Sequence, residues 1–403
     1  MNILFVHQNF PGQYLHLAPN LASAGHNVVA LSSREGVAMK GVRIINYKLP
    51  DERAPGTHRY LTKAEEAVLR GERVAGLALR LNATGFRPDV VCAHPGWGEA
   101  LYLDDVWPGV PQLHYCEFYF TPFHGPAQFR PREPVLIDSV FELRMRNAVG
   151  LISLDACREG VTPTQWQWSQ YPAHYRERIS VVHEGVNVRL VHPDPAAVLV
   201  LPDGRRLTAG DPVVTYVSRN LEPTRGFPEF MRAAALLLDR RPEVEIVVLG
   251  GDETGYGAPP PDGGTWRERM MRQVEIDPKR IHFLGKVPYT EYLKVLQVSA
   301  AHVYLTVPFV LSWSLMEAMA AGCLVIGSDT APVREVIVDG ENGLLVDFFD
   351  ADGLARRIEE GLGGGPAIDA MRAAASRTIN ERYTLAQCLP QQRALVERVA
   401  RIQ

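Results

Sequence analysis

The chain has 403 residues, 46% hydrophobic and 22% charged, with a formal net charge of -4. That length supports about two to three domains, and the slightly acidic balance argues against a nucleic-acid-binding face. No apolar run reaches the roughly 18–20 residues of a membrane span. The opening MNILFVHQ reads as a strand and not a signal peptide, and five scattered cysteines (Cys92, Cys116, Cys157, Cys323, Cys388) suit a reduced, cytoplasmic compartment.

In chain order, MNILFVHQ, NVVALSS, VRIINYKL, PDVVCAH, PQLHYCE, GLISLD and ISVVHEG read as strands of the first half. PVVTYVSR, EIVVLGG, IHFLGK, HVYLTV, CLVIGS and GLLVD take that part in the second. Near-continuous apolar strands alternating with helical segments predict parallel sheets covered on both faces, with ligands at the C-terminal strand edges. The segment LTKAEEAVLRGERVAGLALRLNATG is basic at Lys63, Arg70, Arg73 and Arg80, but Glu65, Glu66 and Glu72 are mixed in. It reads as a soluble helix and not one lying on a membrane.

The strand series starts at Met1 and again near Asp211. This predicts a domain over 1–185, a Pro/Asp/Gly-rich linker over 186–211 with a turn at LPDGRR, and a second domain over 212–380. The tail 381–403 is expected to be a helix crossing back to the first domain. The Gly/Pro-rich stretch GDETGYGAPPPDGGTW has the length of either a functional lid or a surface insertion.

The most informative stretch is VPFVLSWSLMEAMAAGCLVIGSDTAPV. A buried strand leads into a helix opening near Ser312, which carries the lone carboxylate Glu317 and ends at Gly322. A helix N-terminus at a parallel strand edge suits a phosphate, and an acid inside it can reach a sugar hydroxyl pair. Arg219 and Arg225 flank a turn at Glu222-Pro223 between a strand and a helix, where guanidinium groups can converge on one anion; the bland alternative is surface pairing to Glu222 and Glu229. Gly12, in HQNFPGQY, takes the matching position in the first domain. Cys92, His94, His114 and Cys116 fit no established zinc spacing, and Asp350-Ala351-Asp352 is better read as a helix N-cap. No metal is expected. His94, Trp97, Glu117, Tyr119 and His124 fall on the first sheet's C-terminal edge, where an acceptor would enter.

These residues resemble the retaining glycosyltransferases of family 4. The likeness is carried by MNILFVHQNFPGQY, EGVNV, VSRNLEPTRGF, IHFLGKVP and LSWSLMEAMAAGCLVIGSDTAPVREVIVDGENGLLV. It implies an α/β chain of the GT-B fold, with two Rossmann-like doubly wound parallel-sheet domains facing across a cleft. It further implies Arg219 and Arg225 on the donor diphosphate, Glu317 on the ribose, and Ser312, Trp313 and Ser314 on phosphate and sugar. Lys286 and Val287 would flank the base, with Gly251 and Gly12 in donor-side loops. Phe309 stands where the family's motif carries its first acid, which leaves the donor sugar open. Glu117, with His114 close by, takes the place of the usual catalytic-site histidine. The implied reaction moves a hexosyl group from a nucleoside diphosphate sugar to a glycan, a lipid-linked glycan or a small-molecule acceptor, without a metal or other cofactor. The alternatives are a binding protein with lost catalysis, another GT-B enzyme such as a phosphorylase or epimerase, or a dinucleotide oxidoreductase. The last is disfavoured by the lack of a full G-x-G-x-x-G. Acceptor identity, peripheral membrane contact and oligomeric state are left open.

Overall fold

The computed structural model describes residues 1–49, 56–122, 125–129 and 135–401. By contacts the chain divides into two units, Met1–Gly185 with Leu385–Gln403, and Val186–Thr384.

The first unit is built on a seven-stranded parallel sheet: β1 (Asn2–Val6), β2 (Asn27–Ser32), β3 (Val42–Asn46), β4 (Val90–Ala93), β5 (Gln112–Tyr115), β6 (Glu159–Thr162) and β7 (Ile179–Val181). Their order in space is β3-β2-β1-β4-β5-β6-β7, so the winding reverses between β1 and β4. The central strands are apolar on both faces because both are covered. Ile3 and Phe5 lie in one core with Leu17, Leu21 and the helix Leu385–Ala400; Leu4 and Val6 lie in another with Val74, Leu81 and Trp107. Alternate strand residues thus feed opposite cores.

The second unit opens with an antiparallel hairpin, β8 (Val198–Val200) and β9 (Arg206–Thr208), closed by the LPDGRR turn. A six-stranded parallel sheet follows: β10 (Val213–Asn220), β11 (Glu245–Gly251), β12 (Ile281–Gly285), β13 (Ala301–Tyr304), β14 (Leu324–Ser328) and β15 (Leu344–Val346). Its order is β12-β11-β10-β13-β14-β15, with the reversal between β10 and β13. The helix Phe227–Arg240 shows how sequence dictates packing here. Phe227, Phe230, Met231, Ala234, Leu237 and Leu238 recur at helical spacing and are all buried. Phe230 stacks on Tyr216 of β10 at a centroid distance of 4.7 Å.

Two expectations need correction. GLISLD is not a strand: it ends the 20-residue helix Ile137–Ala156, and the true strand is Glu159–Thr162. A six-residue apolar run suits either element, and only its continuity with the preceding helical turns decides. The stretch 186–211 is not a bare connector, since Leu199, Leu201 and Leu207 are buried in one cluster with Val213, Val247 and Val295.

Close approach of two backbones explains one glycine. Gly98 has φ +100°, and a Cβ there would lie 2.2 Å from the Ala67 carbonyl oxygen in the helix Thr62–Ala83. Because that neighbour is helix backbone, it cannot yield. Gly98→Ala is expected to destabilise the first unit by at least about 2 kcal/mol, read as a fall in its urea midpoint; an unchanged midpoint would contradict the packing described.

Candidate functional site

In doubly wound sheets, ligands bind beyond the strand C-termini where the winding reverses. In the second unit that point lies between the ends of β10 and β13. The chain leaves β10 through Arg219 and Asn220 and makes a single 3-10 turn, Pro223–Arg225. Gly226 then takes φ +68°, where a Cβ would sit 2.5 Å from that of Leu305. Any larger residue would push this turn off β13. With the turn seated, Arg225 Nη1 donates to Thr306 Oγ1 at 2.8 Å and to the Val310 carbonyl at 2.9 Å. Tyr216 Oη donates to the Arg225 carbonyl at 2.7 Å, and Val307 N–H to that of Thr224 at 3.1 Å. The guanidinium is therefore fixed across the switch point. Its carbon lies 5.6 Å from the Phe309 ring centroid and 5.9 Å from that of Tyr256.

Beyond Val310 the helix Trp313–Ala320 starts with Ser312 as N-cap. Ser312 Oγ accepts from Ser314 N–H, and Ser312 N–H donates to Tyr304 Oη at 2.7 Å. Trp313 is exposed and Ser314 buried. Glu317 lies on the second turn. Its two carboxylate oxygens accept from Tyr289 Oη at 2.7 Å and Tyr292 Oη at 2.6 Å, both on the helix Tyr289–Gln297. Burial raises the Glu317 pKa, while the Tyr292 and Tyr289 hydrogen bonds pull it back. Its partners are thus neutral hydroxyls, and each oxygen retains a further lone pair for another donor.

The other predicted residues of this unit lie around the same edge. Arg219 is exposed at the end of β10, and its guanidinium makes no ion pair among the described residues. Glu222 does not pair with either arginine; its Oε2 accepts from Gly257 N–H at 2.8 Å. Lys286 is bound to Glu253 at 2.7 Å. Gly251 is hemmed in by that pair, since a Cβ there would lie 2.1 Å from Glu253 Oε2 and 2.5 Å from Lys286 Cε. Val287 packs against the hairpin cluster of Leu199 and Leu207.

The first unit repeats the logic between β1 and β4. His7 and His94 immediately follow these strands, and their rings meet edge to face at 5.4 Å. His94 stacks on Trp97 at 3.9 Å. Its Nδ1 accepts from Gly96 N–H at 3.1 Å, so a neutral ring carries its proton on Nε2. That nitrogen lies 3.4 Å from Glu117 Oε2, while Gln13 Nε2 donates to Glu117 Oε1 at 2.9 Å. Gly12 has φ +45°, and a Cβ there would strike the His7 ring at 2.7 Å. His94, Trp97, Glu117 and Gly12 are therefore gathered in one place. Tyr119 is set back against Tyr171 at 5.7 Å. His124 lies outside the described residues.

His114 is a correction. It is fully buried in β5, its Nε2 bonded to Gln112 Oε1 at 3.0 Å. Burial lowers its pKa to about 3, with smaller contributions from His94 and Arg178. A ring with no accessible surface does not touch a substrate. Cys92 and Cys116 are likewise buried, and no group of three metal-ligating side chains exists among the described residues. Asp350 caps its helix by accepting from Gly353 N–H.

His7, Gln13, Tyr289, Tyr292 and Tyr256 escaped the sequence reading. For Tyr289 and Tyr292 a signal existed, because residues three apart share a helix face.

Comparison with known proteins completes the picture. The family model described as "Glycosyl transferase family 4 group" matches residues 24–191, and that of "Glycosyl transferases group 1" matches residues 203–378. The chain belongs to the family 4 glycosyltransferases. Its similarity to the D-inositol 3-phosphate glycosyltransferase of Corynebacterium glutamicum is 32% identity over 211 residues, 49% of this chain and 48% of that protein. The phosphatidyl-myo-inositol mannosyltransferase of Mycolicibacterium smegmatis is 33% identical over 36% of this chain and 34% of its own. The chain thus spans about half the length, or less, of these curated relatives. Among solved structures, Anabaena HepE in complex with UDP-glucose has a TM-score of 0.71 at 14% identity, covering 99% of this chain and 100% of that one. The fold is GT-B. No helix among the described residues is long and apolar enough to cross a membrane.

The buried histidine gives a pH dependence. In the native state His114 stays neutral down to about pH 3, whereas in the unfolded chain it protonates below about 6.5. The unfolded state then binds more protons, so stability is complete above pH 6.5 and falls as pH drops from there toward 3. His114→Asn is expected to flatten the first unit's stability slope between pH 6 and 4 by up to about 1.4 kcal/mol per pH unit, measured by urea unfolding; an unaltered slope would count against a neutral buried ring.

Proposed function

We propose that this protein transfers a hexosyl group from a nucleoside diphosphate sugar to an acceptor hydroxyl, with retention at the anomeric carbon and without a metal. The observation that carries the reading is Arg225, locked by Thr306 and Val310 across the β10–β13 switch point, where a ligand of this fold sits. The family membership and the UDP-glucose bound to a structural neighbour support it.

As the bond between sugar and phosphate breaks, negative charge grows on the diphosphate and positive charge on the ring. Arg225 is preorganised to meet the former, with exposed Arg219 and the N-terminus opening at Ser312 adding to the field. Glu317, presented by Tyr289 and Tyr292, accepts from the ribose hydroxyl pair. A donor phosphate oxygen takes the acceptor proton, so no protein base is needed. Glu117, held by Gln13 and lying 3.4 Å from His94 Nε2, and the face of Trp97 receive the acceptor in the first unit. A polyhydroxylated ring suits this mixture of carboxylate and aromatic surface. A glycan, a lipid-linked glycan and a small cyclic polyol all present one.

The test has two arms. UDP, GDP, ADP and their sugars are screened by thermal shift, since ligand affinity appears as added stability. Turnover is then followed as acceptor-dependent release of the nucleoside diphosphate, with product configuration read by NMR. Arg225→Ala is expected to lower turnover at least about tenfold, and by as much as removal of a strong transition-state donor, about 3 kcal/mol. Undiminished turnover would remove Arg225 from the mechanism. Tight binding with no release in any acceptor panel would identify a binding protein instead.

A further inference from the structure

We propose that three side-chain amides from separate elements, Gln167, Asn147 and Gln13, are positioning residues that aim the Glu117 carboxylate at the acceptor. The inference rests on the acceptor reading above and adds to it the residues that act through Glu117.

After β5 the chain runs through Cys116–Phe120 without regular secondary structure. Cys116 N–H still donates to the Val161 carbonyl of β6 at 2.7 Å. Beyond that bond the backbone leaves the ladder, and its polar groups need other partners. Side chains supply them. Gln167 Nε2 donates to the Glu117 carbonyl at 2.6 Å. Asn147 engages both backbone groups of Phe120: its Oδ1 accepts from the N–H at 3.0 Å and its Nδ2 donates to the carbonyl at 2.7 Å. The third amide acts on the carboxylate itself, since Gln13 Nε2 donates to Glu117 Oε1 at 2.9 Å.

The first two amides are themselves fixed. Gln167 is fully buried in the short helix Gln165–Gln170. The N-cap Thr164 accepts from Gln167 N–H at 3.1 Å, and its hydroxyl donates to Gln167 Oε1 at 2.9 Å. With the amide oxygen committed to a hydroxyl, the nitrogen faces the Glu117 carbonyl, and the side chain has one orientation. Asn147 is also buried, inside the helix Ile137–Ala156, where asparagine is a poor helix former. Its side chain reaches back 27 residues to Phe120.

Burying an amide costs free energy unless it is hydrogen-bonded. Packing alone would be served by an apolar residue of similar volume. Both buried amides instead spend their N–H donors on the segment that carries Glu117. That segment is therefore held at Glu117 and at Phe120, and Gln13 fixes the direction of the carboxylate between them. A neutral amide orients a carboxylate without quenching its charge, so Glu117 stays a strong acceptor for a hydroxyl.

The experiment uses the full chain, with myo-inositol, methyl α-glucoside and methyl α-mannoside as acceptor probes. Their dissociation constants are measured by ligand-observed NMR with UDP or GDP present, and those of UDP and GDP by calorimetry. Asn147→Asp and Gln167→Glu are nearly isosteric. Each loses its N–H donor while the introduced carboxyl is ionised and regains an O–H donor once it is protonated, which burial favours. Both are expected to weaken polyol binding at least about fivefold at pH 8, to return within about twofold of the unsubstituted chain at pH 5, and to leave nucleotide affinity within about twofold. Gln13→Ala, at a half-buried position, removes a donor without burying a charge; it should show the same loss at both pH values, and it carries the test if an acidic variant unfolds at pH 8. A substitution that merely loosens the fold would lower the urea midpoint without changing the affinity of the folded chain. Polyol affinity unaltered in the folded variants, a loss in the acidic variants that persists at pH 5, or an equal loss for nucleotides would each overturn the positioning while leaving the glycosyltransferase reading in place. Failure of every polyol to bind the unsubstituted chain would overturn the acceptor reading and this inference together, and failure of UDP and GDP as well would overturn the proposed function.

Discussion

The strand edge of the second unit is organised by one side chain that bridges the reversal of its sheet. Arg225 leaves the turn after β10, yet its Nη1 ends on Thr306 and Val310, both beyond β13. Those two bonds hold the loop that positions Phe309 and then delivers the chain to Ser312 and its helix. Gly226 is the steric condition for this, because only a residue without a Cβ lets the turn lie against Leu305. Thr306 is itself held by Ser328 of β14, which accepts from its N–H at 3.0 Å and donates to its carbonyl at 3.0 Å. The arginine is therefore backed by three strands. Such fixity is what electrostatic stabilisation of a leaving group needs, since a donor already in place need not reorganise during the reaction.

The first unit solves the same geometric problem with different chemistry. Its switch point is occupied by His7 and His94, each accepting from a backbone N–H two residues ahead through Nδ1. For a neutral imidazole that arrangement leaves the proton on Nε2. In His94 that nitrogen faces Glu117, whose other oxygen is taken by Gln13. One edge therefore presents a guanidinium and the other a carboxylate.

The parallel sheets were legible because buried strands such as ILFV and VVCA are apolar at every position, and the Ser312 cap and Asp350 cap because capping chemistry is local. Arg225 was legible as a residue but not as a geometry, because its partners lie 81 and 85 positions away. GLISLD misled because a short apolar run has no period of its own, and the preceding helix absorbs it. His114 misled for a related reason. Its place at a strand end suggested exposure, while its register in β5 turned it inward. The Gly/Pro-rich stretch could be marked as unusual, but its tie to Glu222 is a tertiary fact.

The pairing of Glu317 with two tyrosine hydroxyls, and not with a cation, makes it electrostatically unlike the arginine end of the same strand edge. Its negative charge is solvated by Tyr289 and Tyr292 but not neutralised, so its surroundings repel phosphate and welcome O–H donors. The guanidinium at the other pole does the reverse. A molecule carrying phosphates at one end and a diol at the other therefore has one electrostatically favoured way to lie down, and the reversed pose is opposed at both ends.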